Sequence, residues 1–450
     1  MGKYFGTDGF RGKAGSELTA YHAFKIGQFL GYYLKKEKNR KIKAVIGKDT
    51  RLSSYMLEYG IASGLASVGA DTYLMHVTTT PSVSYVTVTD FFDVGIMISA
   101  SHNAYYDNGI KLLNSRGEKL SEEITDKIEE YLDTEEMLPF AKNEEIGRIV
   151  DYYEGRNRYI GYLISLAKNS FKGVKIGLDL ANGSCHMIAK SVFEALGASV
   201  YVINNEPNGT NINKNAGSTH IEVLQRFVVE KGLDIGFAFD GDGDRCMGVD
   251  DKGNIVNGDH IMYLLAKELK EKGELLTNTV VTTVMSNLGL HKALDTIDIS
   301  YEITSVGDRF VYENMAKNGH VLGGEESGHI ILSKYATTGD GILTAIKIMD
   351  TMADKRAKLS YLLRNIKMLP QKTINIVVKS KDEALSNPKL QALCKQIEKE
   401  LGKDGRILLR ASGTEPKIRI MLECASKARC EGYVNSIMNL VKEEGLEWKD

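Results

Sequence analysis

Short apolar runs that alternate with helix-length amphipathic stretches dictate what this chain can become. KAVIG at 43 to 47 is followed by a helical pattern near 53 to 68, TYLMHV at 72 to 77, a second helical pattern near 81 to 90 and VGIMIS at 94 to 99. The rhythm resumes with VKIGLDL at 174 to 180, a helix near 184 to 196, ASVYVIN at 198 to 204, a helix near 219 to 231 and LDIGFAF at 233 to 239. Strands this apolar need helices to cover them, so the alternation predicts α/β layering.

A third unit begins near Asp251, with a helix at 258 to 272, a strand at 279 to 284, a helix from Arg309 to Asn318, a strand before GGEESGH and a long helix at about 340 to 355. The last stretch breaks the pattern. A strand at 373 to 379, a helix at 388 to 401, the strands RILLR and KIRIMLE and a closing helix near 426 to 444 predict a smaller α+β domain. Between the first two units lies a polar, helix-forming segment from Ser121 to Lys168, whose DTEEMLPFAKNEEIG portion, Asp133 to Gly147, reads as a domain connection. At 450 residues the chain exceeds one ordinary core.

With 57 basic against 59 acidic residues the formal net charge is -2, which supplies no overall basic field for nucleic acid. Any anion-binding surface is therefore local, and a small phosphorylated ligand fits better than a polymer. The opening MGKYFGTDGFRGKAG has no apolar core of signal-peptide length, and no run approaches the roughly 20 apolar residues that cross a bilayer. A cytoplasmic protein without a membrane partner is expected. Cys185, Cys246, Cys394, Cys424 and Cys430 are odd in number and lack a CxxC pair, which points to reduced thiols rather than a disulfide framework or a zinc site.

Two of the apolar strands run directly into polar loops. VGIMIS leads into ISASHNAYYDNGIK, which sets Ser101 beside His102. A hydrolytic serine is a poor reading: neighbours on extended backbone point to opposite sides, which places His102 badly for the Ser101 proton, and the GxSxG glycines are missing. LDIGFAF leads into DGDGDR, where Asp240, Asp242 and Asp244 alternate with glycines. Glycine permits a curled backbone on which three carboxylates converge, and hard oxygen ligands suit Mg²⁺. A calcium-binding EF-hand would need glycine where Arg245 stands and glutamate where Asp251 stands.

Three further clusters complete the set. HVLGGEESGHIIL puts Glu325, Glu326, Ser327 and His329 after paired glycines, side chains suited to exchanging hydrogen bonds with vicinal hydroxyls. RILLRASGTEPKIRIML gathers Arg410, Ser412, Gly413, Thr414, Lys417 and Arg419, the donors a phosphate dianion wants. FGTDGFRG sets Arg11 on a glycine-flanked turn, where it can steady charge on a phosphoryl group in transit. Open α/β sheets place ligands at the carboxyl ends of their strands, so several of these loops are expected to face one cleft. The parts suit phosphoryl transfer on a sugar, which runs on positioning and charge neutralisation without a triad.

These motifs, in this order, resemble those of the α-D-phosphohexomutase family over essentially the whole chain. SASHNAYYDNGIK matches its phosphoserine loop, DGDGDR its metal loop, GEESG its sugar loop and RASGTEP its phosphate loop. MGKYFGTDGFRG, EPNGTNINKNAGSTH (Glu206 to His220) and SVGDRFV (Ser305 to Val311) resemble the bacterial phosphoglucosamine mutase branch, and Gly307-Asp308 stand where phosphomannomutase/phosphoglucomutase relatives carry Gly-His. The sugar loop reads GEESG where that branch usually has GEQSG, so Glu326 bears on hexose choice. Ala104 and Ala411 stand where a proline is common.

The resemblance implies four domains around a central cleft. Residues 1–148, 149–250 and 251–366 would be related α/β domains with mixed sheets, bearing the phosphoserine, metal and sugar loops, and 367–450 a smaller C-terminal α+β domain bearing the phosphate loop. It implies phosphate on Ser101 and one Mg²⁺ per chain held by that phosphate and by Asp240, Asp242 and Asp244. Ser101 would phosphorylate glucosamine 6-phosphate to glucosamine 1,6-bisphosphate and recover phosphate to leave glucosamine 1-phosphate, towards UDP-N-acetylglucosamine. Glu325, Ser327, His329, Gly307 and Asp308 would hold the sugar, and Arg410, Ser412, Gly413, Thr414 and Arg419 the phosphate that is not reacting. Arg11, Arg245 and Lys111 would act at the reacting group, with Lys111 as an acid/base whose buried amine has a depressed pKa. The implied partner is a small phosphosugar, with no nucleic acid and no membrane, and bacterial relatives suggest a homodimer. Glucose or mannose phosphates are the rival substrates and a metal-dependent phosphatase the rival reaction.

Overall fold

The apolar runs of the first unit, Lys43–Lys48, Asp71–Val77 and Val94–Ile98, are the parallel centre of a seven-stranded sheet, with Ile46 lying between Leu74 and Ile96. These strands carry almost no exposed surface, and helices Leu52–Ser67 and Thr80–Thr89 lie against them. Asp107–Asn114 returns antiparallel beside Val94–Ile98, and Gly9–Lys13 adds antiparallel beyond it. Ile149–Asp151 pairs with Asp71–Val77 at the opposite edge, so the chain beyond the polar connection is still adding to the first sheet.

The computed structural model describes residues 2–411 and 416–448, which form four sheets in all. In the second, Ser199–Ile203, Lys175–Asp179 and Ile235–Phe239 are parallel, and Cys246–Val249 returns antiparallel. In the third, Ser300–Thr304, Thr279–Thr283 and Leu322–Gly324 are parallel, and Ile330–Leu332 returns antiparallel. All three sheets thus share one device: a buried parallel strand delivers a polar loop at its carboxyl end and the chain turns straight back beside it. Residues 99–106, 240–245 and 325–329 are those loops. A rigid strand on each side fixes loops that carry the chemistry.

Helix Ala20–Lys38 has no counterpart in the sequence reading, and it packs along Leu52–Ser67. Its buried face mixes Ile26 and Leu30 with Lys25 and Gln28, which blurs the amphipathic pattern. Lys25 is accommodated because its ammonium donates to the carbonyls of Leu132 and Thr134, at the end of helix Glu122–Leu132. The helix expected near 184 to 196 is shorter: a 3-10 turn at Ser184–Met187 precedes Ala189–Ala195.

The chain divides into two compact units, residues 1–285 with 299–364, and residues 286–298 with 365–450. The second unit holds the fourth sheet, in which Gln371–Val377, Lys417–Cys424 and Gly405–Ala411 are antiparallel. Helices Pro388–Leu401 and Lys427–Glu443 bury Ile397, Leu401, Val434 and Ile437 with Ile418, Ile420 and Leu422. Cys424 and Cys430 are joined as a disulfide, which corrects the expectation of free thiols throughout; the closing helix starts just after the strand and brings their Cα atoms to 6.1 Å. Among the described residues no helix is long and apolar enough to cross a membrane.

Helices Ala20–Lys38 and Leu52–Ser67 approach closely because Gly64 has no side chain: a Cβ there would stand 2.0 Å from the Phe24 carbonyl oxygen. Gly64→Ala is expected to destabilise the protein by about 1–3 kcal/mol through overpacking. Gly161→Ala, on an exposed helical site where a Cβ meets nothing within 4 Å, is the control and should be neutral or slightly stabilising. Denaturant midpoints of the two variants check the contrast.

Candidate active site

The loop after Ile235–Phe239 gathers Asp240, Asp242 and Asp244, all buried, with one carboxylate oxygen from each within 4.8 Å of the others. Gly241 makes this possible, since a Cβ on it would stand 2.5 Å from the Ser101 carbonyl oxygen and hold the two loops apart. Burial and then repulsion from Asp244 and Asp242 push the Asp240 carboxyl well above its ordinary pKa. Burial also opposes ionisation of Asp244, yet Lys111 and His329 prevail and hold it well below the usual carboxylate range. Such a split is what crowded acids show when too little positive charge is shared among them. Asp242 Oδ1 and Asp244 Oδ1 are buried without a hydrogen-bond partner. Hard, converging, orphaned oxygens fit a divalent cation such as Mg²⁺.

Ser101 lies on the next loop with its hydroxyl donating to Asp240 Oδ2 at 2.6 Å. Its φ is 53°, a left-handed conformation unusual for serine, and four neighbours enforce it. The buried Arg51 guanidinium donates to the carbonyls of Ser101, Asn103 and Ala104, and Asn213 Nδ2 donates to those of Ser101 and Asn103 at 2.8 and 3.0 Å. Ser99 Oγ accepts from the Ser101 N–H and donates to Asp49 Oδ2, the oxygen that also takes Arg51 Nε. Asn213 belongs to the EPNGTNINKNAGSTH stretch, so that stretch holds the serine loop from the second sheet.

The left-handed serine also overturns the expected separation of Ser101 from His102. Because the backbone is not extended there, Ser101 Oγ lies 3.3 Å from His102 Nδ1. The hydroxyl proton is nevertheless directed to Asp240. Burial, reinforced by Arg245 and Arg11, lowers the His102 pKa to about 3, so the ring is neutral near pH 7.

Lys111, on strand Asp107–Asn114, points the other way from its expected acidity. Its ammonium donates to Asp242 Oδ2 at 2.7 Å and Asp244 Oδ2 at 3.3 Å and lies 3.3 Å from Asp8 Oδ2. Burial alone would lower its pKa, but Asp242, Asp8 and Asp244 outweigh burial and raise it well above the ordinary value. The correction is physical: a buried amine loses its proton only where carboxylates do not surround it. Thr80, at the start of helix Thr80–Thr89, also donates its hydroxyl to Asp242 Oδ2. Arg11 pairs with Asp8, and the Arg245 backbone N–H donates to Asp240 Oδ1 at 3.2 Å.

The third loop joins the same neighbourhood through His329 and Asp308. His329 Nδ1 lies 3.7 Å from Asp244 Oδ2, and its Nε2 accepts from the Gly339 N–H at 3.0 Å. Glu325 Oε1 accepts from the Gly307 N–H at 3.0 Å, and Ser327 is half-buried. Asp308, expected at the sugar, spends Oδ1 on Lys119 at 2.7 Å and on the Arg309 N–H at 2.9 Å. Asp8, Asp49, Arg51, Thr80, Lys119 and Asn213 were not among the residues singled out from sequence.

In the second compact unit Arg410 and Arg419 face each other across adjacent strands. Burial and then Arg419 lower the Arg410 pKa. Like charges directly opposite repel, so the pair suits an anion between them. Ser412, Gly413 and Thr414 lie outside the described residues.

Four domain families, each described as phosphoglucomutase/phosphomannomutase, match this chain in order: alpha/beta/alpha domain I at 2–138, domain II at 157–253, domain III at 257–368 and the C-terminal domain at 374–440. The phosphoglucosamine mutase of Lachnoclostridium phytofermentans is 57% identical over 446 residues, covering 99% of each chain. That of Bacillus subtilis is 48% identical over 449 residues, covering 99% of this chain and all of its own. Among solved structures, a phosphoglucomutase/phosphomannomutase family protein from Burkholderia thailandensis superposes with a TM-score of 0.81 at 23% identity over 98% of both chains. The Aspergillus fumigatus N-acetylphosphoglucosamine mutase gives 0.70 at 17% identity, over 98% of this chain and 95% of its own.

If Lys111 balances the carboxylates in the absence of a divalent ion, Lys111→Met should cost about 3–5 kcal/mol of stability in EDTA. Added Mg²⁺ should recover part of that loss, and thermal unfolding with and without Mg²⁺ measures it. An equal loss in both conditions would contradict this role for Lys111.

Proposed function

Since the chain belongs to the phosphoglucomutase/phosphomannomutase family, we propose that it is an isomerase that moves phosphate between the 6 and 1 positions of glucosamine phosphate, with Ser101 as the phosphate carrier. The observation that carries the reading is the 2.6 Å approach of the Ser101 hydroxyl to Asp240 in a buried trio of carboxylates. Relatives 48 to 57% identical over almost the whole chain, all phosphoglucosamine mutases, support the amino sugar as substrate. Gly307-Asp308 supports the same branch, while Glu326 adds a carboxylate within the sugar loop.

Phosphoserine 101 and a hexose 6-phosphate exchange one bond for another. The bond between phosphorus and Ser101 Oγ breaks as a bond to the sugar 1-hydroxyl oxygen forms; the hydroxyl gives up its proton and Ser101 regains one, free to donate to Asp240 as here. Asp240, Asp242 and Asp244 would hold a Mg²⁺ ion, which would supply positive charge to the phosphoryl group in transit. Arg11 and Arg245 add guanidinium charge to the same group, and Lys111, the amine beside Asp242 and Asp244, is the group that moves the proton. Glu325 and Ser327 hold sugar hydroxyls in each of the two orientations of the bisphosphate. Phosphate then returns to Ser101 from the 6 position. Arg410 and Arg419 supply a phosphate grip on the second compact unit.

Two measurements test this. Glucosamine 6-phosphate should exceed glucose 6-phosphate and mannose 6-phosphate in kcat/KM by at least about tenfold; a reversed order would shift the assignment to the glucose and mannose branch. Ser101→Ala should lose at least about a thousandfold in kcat while keeping its unfolding midpoint. Ordinary turnover by that variant, or release of inorganic phosphate as the main product of the unaltered protein, would contradict the carrier role.

A further inference from the structure

Lys119 has been assigned nothing so far, yet its ammonium links two sheets. It stands on the loop after strand Asp107–Asn114 and donates to Asp8 Oδ1 at 2.9 Å, to the Thr7 carbonyl at 3.0 Å and to Asp308 Oδ1 at 2.7 Å. Asp8 is on the turn before Gly9–Lys13 in the first sheet, and Asp308 opens helix Asp308–Asn318, which packs on the third. An isolated surface ion pair contributes little. This one is placed differently, because the far side of Asp8 is already engaged: Oδ2 lies 3.3 Å from Lys111 Nζ and takes the Arg11 guanidinium. The residue before Asp308 is engaged too, since the Gly307 N–H holds Glu325 Oε1.

The bridge also borders open space: cavities of about 400 Å³ and about 280 Å³ share Asp8, Lys111, Lys119, Leu120 and Arg309 in their linings. Without Lys119, Asp308 would lose its tie to Asp8 and the first sheet. Asp8 would then have only Lys111 and Arg11 as charged partners, drawing them off the line set by Asp242 and Asp244.

We propose that Lys119 is a positioning residue for phosphoryl transfer: by tying Asp308 to Asp8 it holds Lys111 and Arg11 in place and keeps the Glu325 loop in step with them. The proposal rests on the roles given above to Lys111, Arg11 and Glu325. It concerns placement of groups that act after substrate has bound, so its signature is a loss in kcat rather than in KM.

The test is steady-state isomerisation of glucosamine 6-phosphate by the full chain with Mg²⁺, comparing Lys119→Met, Asp308→Asn, the double variant and Lys119→Arg. Each of the first two should lose about tenfold to a hundredfold in kcat, with KM changed by less than about threefold. The double variant should be no worse than the poorer single one, because both changes break the same link. Lys119→Arg, which can still span two carboxylates, should recover most of the rate. Full-rate turnover by Lys119→Met, a loss confined to KM, or losses that multiply in the double variant would overturn the proposal. Should Lys119→Met fail to fold, Asp308→Asn decides by the same kcat criterion. An unaltered protein that isomerises no hexose phosphate would overturn the functional reading and this inference together, whereas a fast Lys119→Met overturns only the inference.

Discussion

Three carboxylates buried within reach of one ion set the terms for the first compact unit. Left alone they repel, and burial removes the water that would screen them. The surrounding structure answers with Lys111 against Asp242 and Asp244, a backbone N–H and the Ser101 hydroxyl at Asp240, and the Thr80 hydroxyl on Asp242. Lys111, Ser101 and Thr80 belong to the elements of the first sheet and its helices, whereas the acids and the Arg245 N–H belong to the loop of the second. The need to neutralise one loop therefore fixes the placement of two sheets, and the same contacts bring the serine to the trio.

The serine loop is held by a second, equally specific arrangement. Asp49 is fully buried and receives Arg51, Ser54 and Ser99, and Arg51 turns its guanidinium to the carbonyls of residues 101, 103 and 104. A loop with three carbonyls turned to a buried cation keeps the Ser101 side chain for other partners. The left-handed backbone at Ser101 is the cost of that turn, borne by hydrogen bonds that its neighbours supply.

Much of this was legible in the sequence because the signals are local. Buried strands such as VGIMI and IGFAF are apolar throughout, and the loops they deliver carry their chemistry in a few adjacent residues, as Asp240, Asp242 and Asp244 do. The four-part family assignment followed from those loops taken in order. What was not legible depends on contacts across the chain. Helix Ala20–Lys38 hid behind Lys25 and Gln28, polar residues that are buried because the carbonyls of Leu132 and Thr134 meet Lys25 and the Tyr131 hydroxyl and Leu138 carbonyl meet Gln28. The acidity of Lys111 was read with the wrong sign, because burial could be inferred from sequence but the three facing carboxylates could not. Ser101 and His102 were separated on the assumption of extended backbone, which Arg51 and Asn213 prevent. Asp8 lay within a motif already singled out for Arg11, and only the structure shows that it joins Arg11, Lys111 and Lys119.

The central claim is that Ser101 is a phosphate carrier for a sugar and not a bystander to hydrolysis. It is tested most directly by following labelled phosphate from Ser101 through a single turnover. Protein phosphorylated at Ser101 with labelled phosphate is mixed with unlabelled glucosamine 6-phosphate and Mg²⁺, and the label is traced by position. The account predicts label in the bisphosphate and then in glucosamine 1-phosphate, with Ser101 again phosphorylated but now from the substrate's 6 position. Label that stays on Ser101 while product forms, or that leaves as inorganic phosphate, would contradict it.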